Sequence, residues 1–253
     1  MSSRHTENNP KTGVGRPLRS IVGRVMAGED TIVISVGGSL IVPDSIDTHF
    51  LKEFKSFVQS YLAKGKSFII IAGGGKTARR YQDAANEVTG LTRDDLDWLG
   101  IHATRLNAHL LRAIFYKEAH PVINTDPTEK VSATHAVVIA AGWKPGWSTD
   151  YDAVLLAKGV NAKKVINLSN IDYVHTEDPK KNPQAKSIEK ITWSAFRKLL
   201  PKEWDPGLSS PFDPVAAKEA EALGIEVAII NGNKLEEVEK YLNGREFIGS
   251  VIC

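Results

Sequence analysis

Thr31-Ile-Val-Ile-Ser-Val-Gly-Gly-Ser39 is the stretch on which the fold turns. Six mostly β-branched residues run straight into two glycines, the pattern of a buried strand breaking into a tight turn. The pattern recurs twice: Ser67 to Ala72 runs into Gly73-Gly74-Gly75, and Ala136 to Ala141 runs into a turn from Gly142 to Thr149. A helix-like stretch follows each turn. Such a turn exposes backbone N–H groups at the carboxyl end of a strand, and the next helix adds partial positive charge, a combination that suits phosphoryl oxygens. One glycine turn is weak evidence of this; three in one chain point to phosphate chemistry.

Outward from these turns, strands and helices alternate. Phe50, Leu51, Phe54, Val58, Tyr61 and Leu62 repeat at helical spacing, and Gly65 ends that helix. Thr77 to Val88 reads as a helix, and a longer one runs from Asp94 to Glu118 with Leu99, Leu106, Leu110 and Ile114 on one face. Pro121 to Ile123 reads as a short strand, Asp150 to Lys158 as a helix and Lys164 to Leu168 as a strand. A polar stretch rich in Asp, Lys and Pro runs to Ala185, then a short helix spans Thr192 to Leu200. Pro201 to Pro214 is rich in Pro, Gly and Ser and reads as a mobile loop. Asp213 is placed to cap a helix from Pro214 to Leu223, with proline at its first position. Ile225 to Ile230, Leu235 to Leu242 and Phe247 to Val251 complete the chain as strand, helix and strand. This order predicts an α/β fold, a three-layer αβα sandwich around a mainly parallel sheet, with binding at the carboxyl ends of the strands.

The 253 residues suit one large domain, without internal repeat or obvious linker. The net charge of +2 conceals an asymmetry. Residues 1–28 carry Arg4, Lys11, Arg16, Arg19 and Arg24 against Glu7, so the remainder is acidic. That segment has few large apolar groups and reads as a solvated, disordered extension ahead of a single domain over 29–253. Any contact with nucleic acid is expected only through this tail, since the body shows no basic stripe. Met26 is the one methionine after Met1 and a candidate start, which mass spectrometry of the native protein would settle. No apolar run reaches membrane-span length, and the N-terminus lacks the apolar core of a secretory signal. Cys253 is the lone cysteine, which leaves neither a disulfide framework nor a cysteine metal site; the expected location is cytoplasmic.

Gly75-Lys76-Thr77 invites a P-loop reading, but position 70, where that motif needs another glycine, is Ile70. The dinucleotide fingerprint GxGxxG is missing too, which disfavours a nicotinamide cofactor. What remains, in order, is Val33 to Ser39, Ile71 to Arg79, Asp97-Trp-Leu-Gly100, Thr104-Arg-Leu-Asn107, Ala141 to Asp150 and Asn170-Ile-Asp-Tyr-Val-His-Thr-Glu-Asp-Pro179. From about Thr31 to the C-terminus this set resembles the amino acid kinase superfamily, and within it the archaeal-type uridylate (UMP) kinases.

The resemblance implies direct in-line transfer of the γ-phosphoryl group of ATP to UMP with Mg²⁺, a reaction that rests mostly on positioning and charge neutralisation. It assigns Ser35, Val36, Gly37, Gly38, Ser39, Gly75, Arg79, Ser169, Asn170, His175 and Asp178 to ATP. It assigns Gly74, Asp97, Trp143, Lys144, Pro145, Gly146, Trp147, Ser148 and Thr149 to UMP, with Asp97 accepting from the ribose hydroxyls. Asp172 matches an aspartate that organises phosphate-binding groups. The metal is expected to have no dedicated protein ligands. Relatives form hexamers packed through the first helix and the long helix, so a homo-oligomer is expected by resemblance; Phe50, Phe54, Phe57 and Tyr61 give the first helix a broad apolar face, which suits a core as well as an interface, and the sequence alone does not decide between them.

The chain also departs from the pattern. Ser35 stands where many superfamily members carry a lysine, so Lys76 and Lys144 become the candidate cations for the transferring group. Tyr173 replaces a glycine and His175 a tyrosine. Plainer readings stand beside these roles. The glycines suit tight turns and close packing, Asp97 a first helical turn, Thr149 an N-cap, and Ser169, Asn170, Asp172 and Asp178 turns. Other acceptors on this fold, such as isopentenyl phosphate or carbamate, and a non-catalytic oxyanion store of the molybdate-storage kind, are the alternative functions.

Overall fold

The structure is a computed structural model that describes residues 30–131, 134–200 and 210–253. The N-terminal extension, Met26 and most of the Pro201 to Pro214 loop lie outside the described residues.

Among the described residues the strands are β1 Thr31–Val36, β2 Ser67–Ala72, β3 Val137–Ala140, β4 Lys164–Ser169, β5 Val174–His175, β6 Ser187–Ile188, β7 Lys190–Ile191, β8 Glu226–Asn231 and β9 Ser250–Ile252. The helices are α1 Gly38–Ile41, α2 Thr48–Ala63, α3 Gly75–Val88, α4 Arg93–Ile114, α5 Thr149–Gly159, α6 Trp193–Leu199, α7 Pro214–Leu223 and α8 Leu235–Leu242. Seven strands form one sheet in the order β3-β2-β1-β4-β8-β9-β7, and β5 pairs with β6 apart from it. Every pairing in the large sheet is parallel except β8 with β9. All residues of β1, β2 and β3 are buried, as strands covered on both faces must be.

Alternation along the strands separates two cores. Ile34, Phe68, Ile70 and Leu168 pack with Phe54 and Val58 of α2, Leu111 of α4 and Val238 of α8. Val33, Ile69, Ile71 and Val165 pack with Leu156 of α5, Phe196 of α6 and Ala217 of α7. Side chains begin several helices: Asp47 caps α2, Thr92 caps α4, and Asp213 caps α7 through Ala216 N–H with Pro214 at the first position.

Three local expectations need correction. α4 stops at Ile114, and residues 115–118 form turns. Its inward face is Ile101, Thr104, Asn107, Ala108 and Leu111, with Leu110 and Ile114 packed partly against the core and Leu106 63% exposed, because α4 uses polar side chains inward to hold the turns described below. Pro121 to Ile123 is no strand. Two isolated bridges, Ala119 with Val137 and Asn124 with Ala140, flank it; Pro121 has no N–H for the ladder, and Val122 N–H goes to His120 Nδ1. The aromatic face of α2 is core, one of the two uses that its sequence allowed, with Phe50, Phe54, Phe57 and Tyr61 all buried.

Candidate active site

β1 and β2 are neighbours, so the turns that end them meet, and they meet without side chains. A Cβ on Gly38 would lie 1.9 Å from Gly75 N, and one on Gly73 would lie 2.5 Å from Gly38 N. Gly75 has φ +63°, and a Cβ there would stand 2.2 Å from Gly38 O. Backbone bonds complete the joint: Gly73 N–H donates to Val36 O at 2.9 Å and Lys76 N–H to Val42 O at 3.0 Å. The first N–H groups of α1 and α3 have no intrahelical acceptors, and both helices start at this edge of the sheet. The result is a double nest of donors with positive helix ends behind it, suited to a polyphosphate.

Two sides of the nest are set by the neighbouring strand and by α4. On the β4 side, Gly37 N–H donates to Leu168 O at 2.8 Å. On the other, the buried Asn107 of α4 gives its amide to Gly73 O at 2.7 Å and Gly74 O at 3.2 Å. Arg79 lies on the exposed side of α3 with no ion-pair partner among the described residues, whereas Arg80 pairs with Asp44. Ser35 and Val36 are buried, with the Ser35 hydroxyl on Asp150 and the Val36 carbonyl on Gly73. Gly37, Gly38 and Ser39 are the part of that stretch open to a ligand.

The third turn is fastened from outside. Thr104 Oγ1 accepts Gly142 N–H at 2.8 Å while donating to Ile101 O. Arg105 donates to Trp143 O at 3.0 Å, Asp152 Oδ2 accepts Trp143 N–H at 3.2 Å, and Asp97 Oδ2 accepts Gly146 N–H at 2.8 Å. Partial burial holds the Asp97 carboxyl above its ordinary value. Trp143, Trp147 and Tyr151 form a run of tilted rings, and Lys144 Nζ rests 3.8 Å from the Trp143 ring centre. Ser148 caps α5 through Tyr151 N–H; Thr149 is the first helical residue, so its hydroxyl is not the cap. Pro145 sits half-buried between Lys144 and Gly146.

Beneath these turns lies a polar cluster that the sequence did not reveal. Asp150 accepts from Ser35 Oγ and from Asn167 Nδ2 with one oxygen, and from Asp213 N–H with the other. Burial, with the Asp213 charge beside it, pushes its carboxyl up to about 7. Asp213 is raised by burial as well. Ser35 thus stands opposite an acid, where many superfamily members have a cation.

On the far side of β4, Asp172 is ion-paired to Lys234 at 2.9 Å and accepts from Asn231 Nδ2 at 2.8 Å, which hold its carboxyl below the ordinary value. Gly232, between those two partners, faces Leu40 of α1; a Cβ there would lie 2.3 Å from Leu40 Cδ1. Lys234 therefore stands in a turn packed on the phosphate nest, and it is a cation that the spacing of motifs did not single out. The remaining predicted residues are less convergent. Ser169 Oγ accepts Ile171 N–H, and Asp178 Oδ1 accepts Lys180 N–H, so both side chains serve turns. Asn170 is exposed, and Tyr173 and His175 are half-buried on the segment that leads into the small sheet.

Residues 30–231 match the model of the amino acid kinase family. The uridylate kinase of Methanocorpusculum labreanum is 37% identical over 224 residues, covering 87% of this chain and 94% of that protein. The uridylate kinase of Hyperthermus butylicus is 33% identical over 87% of this chain and 97% of its own length. The crystal structure of the uridylate kinase from Archaeoglobus fulgidus superposes with a TM-score of 0.74 at 31% identity, covering 88% of this chain and 99% of that one. The parallel sheet, the interlocked glycine turns and these likenesses agree, and the chain belongs to the amino acid kinase family, on its uridylate kinase branch.

Proposed function

We propose that the protein is a UMP kinase, transferring the γ-phosphoryl group of ATP to UMP to give UDP and ADP. The observation that carries this is the pairing of a side-chain-free nest with a tethered third turn at one edge of the sheet. Gly38, Ser39 and Gly75 hold the ATP phosphates through N–H groups, whereas the Gly37 N–H expected to join them is taken by Leu168 O; Arg79 has its charge free to take part. Gly74 lies between donor and acceptor. Asp97 and the turn from Trp143 to Thr149 receive UMP, the tryptophans offering ring faces and Asp97 an acceptor for ribose hydroxyls. Lys76, on the first turn of α3, and Lys234, held by Asp172, flank the transferring group; Lys144 is engaged by Trp143.

Mg²⁺ belongs to this reading as a companion of ATP. Asp150, the partly buried acid under the nest, already has both oxygens occupied by protein donors. The fit is therefore to an ion bound by phosphates and water, as Mg²⁺ usually is in kinases. A homo-oligomer, hexameric by resemblance, belongs here too. Its surface is the outer side of α3 and α4, where Tyr81, Val88, Trp98 and Leu106 are exposed. A cytoplasmic location follows from the substrates; among the described residues no helix is long and apolar enough to cross a membrane.

ADP production from Mg-ATP with UMP, CMP, isopentenyl phosphate or carbamate tests the reaction, with turnover expected for UMP. Turnover with carbamate alone would overturn the acceptor. Asp97→Asn tests the pocket: the amide oxygen still accepts Gly146 N–H, but the charge-assisted bond to ribose is lost, so KM for UMP rises about tenfold with kcat little changed. An unchanged KM would remove Asp97 from the UMP site.

A further inference from the structure

Asp152 is a carboxylate in an unusual place. It sits in the first turn of α5 at 0% exposure. Oδ2 accepts Trp143 N–H, and Oδ1 has no hydrogen-bond partner. A buried carboxylate normally brings donors to both oxygens or a cation beside it. Here the charged neighbours are acids, Asp150 on the same helix and Asp126 before β3. Tyr151, also on α5, senses its charge, and Glu219 of α7 faces that tyrosine. From β1, β4 and α7 come Ser35, Asn167 and Asp213, all engaged with Asp150. The turn's one cation, Lys144, rests on the Trp143 ring and acts on Asp126.

We propose that Asp152 is a positioning residue of the acceptor turn: as a neutral acid it holds the backbone of Trp143, and when it becomes charged it lets that turn go. The Trp143 N–H bond by itself favours the charged form, but burial and the two acids outweigh it, and a neutral carboxyl tolerates an orphan oxygen there. A charged one next to two other acids must reach water. Asp152 is itself fully buried, while the turn it holds carries the half-buried Trp143 and the exposed Lys144 and Gly146, so its route to water is through that turn. The turn carries the Trp143 and Trp147 rings, and its loosening weakens acceptor binding without touching the nest that holds ATP. Burial pushes this carboxyl up to about 8, which places the change at mildly alkaline pH.

The inference rests on the reading of this turn as the UMP site, and two readouts separate the two claims. The first is KM for UMP between pH 7 and pH 9, with ATP saturating. The wild type rises about tenfold, since the neutral form falls tenfold per pH unit above its midpoint. Asp152→Asn stays flat because an amide keeps the acceptor and never ionises, and any ionisation of UMP itself is common to both proteins. The second is tryptophan fluorescence of the free enzyme over the same range. It shows a transition near pH 8 in the wild type and none in Asp152→Asn. A transition that survives in Asp152→Asn, or none in the wild type, overturns the role of Asp152. A transition abolished by Asp152→Asn with a flat KM in the wild type supports the hold on Trp143 and overturns the placement of UMP on this turn.

Discussion

The turns after β1 and β2 are held by what their own residues lack, whereas the turn after β3 is held by what distant residues supply. Gly38, Gly73 and Gly75 let two backbones touch, and any Cβ there collides with main chain. Gly142, Trp143 and Gly146 are instead pinned by Thr104, Arg105, Asp152 and Asp97. A backbone joint is rigid and insensitive to solution conditions. A joint made of side chains, two of them acids with raised proton affinity, responds to pH and can adapt to an acceptor. The division matches the tasks in phosphoryl transfer, where the phosphates need fixed positioning and the acceptor must enter and leave.

The largest effect is expected where backbone meets backbone. In Gly38→Ala the new Cβ would stand 1.9 Å from Gly75 N, with no flexible side chain to move aside. The two turns must separate, and displacement by about 1 Å at a transfer site costs on the order of 100-fold in rate. Stability should fall by about 3 kcal/mol, the upper range for overpacking. Steady-state ADP release and urea midpoints measure the two, and near-normal turnover would show that the joint yields more readily than its contacts imply.

The next effect separates the halves by pH. Asp150 and Asp152, at about 7 and about 8, both lie above their ordinary 3.8, so the folded state holds protons that the unfolded chain has released. Their contribution is therefore fully present below the ordinary 3.8 and falls as pH rises toward 8. Each group contributes up to about 1.4 kcal/mol per pH unit within that window. Asp172 and Glu237 are shifted down, and their contribution is lost only in acid, as pH falls below the ordinary carboxylate range. Urea midpoints at pH 5 and pH 8 should differ, and Asp150→Asn should reduce the difference. A midpoint independent of pH would mean that water reaches both carboxyls.

How much could be read in advance follows the same division. β1, β2 and the glycine triplet were legible because a backbone joint writes itself into the local sequence as glycine. α7 with its Asp213 cap was legible for the same reason, each signal lying within a few residues of its effect. Thr104 and Asn107 were visible as a motif, but their work on Gly142 and Gly73 spans 38 and 34 residues and has no local mark. The inward polar face of α4 also escaped the helical reading, since apolar spacing selected the exposed Leu106 together with Leu110 and Ile114, which pack only partly against the core. The Asp150 cluster joins residues 35, 150, 167 and 213, which only the parallel order of β1 and β4 brings together. Lys234 was passed over because its partner, Asp172, lies 62 residues away.

Gly146→Ala gives the smallest effect and the sharpest test of the contrast. Gly146 has φ +85°, so an alanine there is strained, yet its Cβ would meet nothing within 4 Å. The cost is torsional alone, about 1 kcal/mol. Because Asp97 fixes the Gly146 N–H, the strain should appear partly as lost stability and partly as a rise in KM for UMP of less than about tenfold, with KM for ATP unmoved. Gly146→Asn should recover part of the loss, since asparagine tolerates left-handed backbone better than alanine. If Gly146→Ala instead proves as damaging as Gly38→Ala, the third turn is as tightly packed as the first two, and the flexible, side-chain-held acceptor half does not exist.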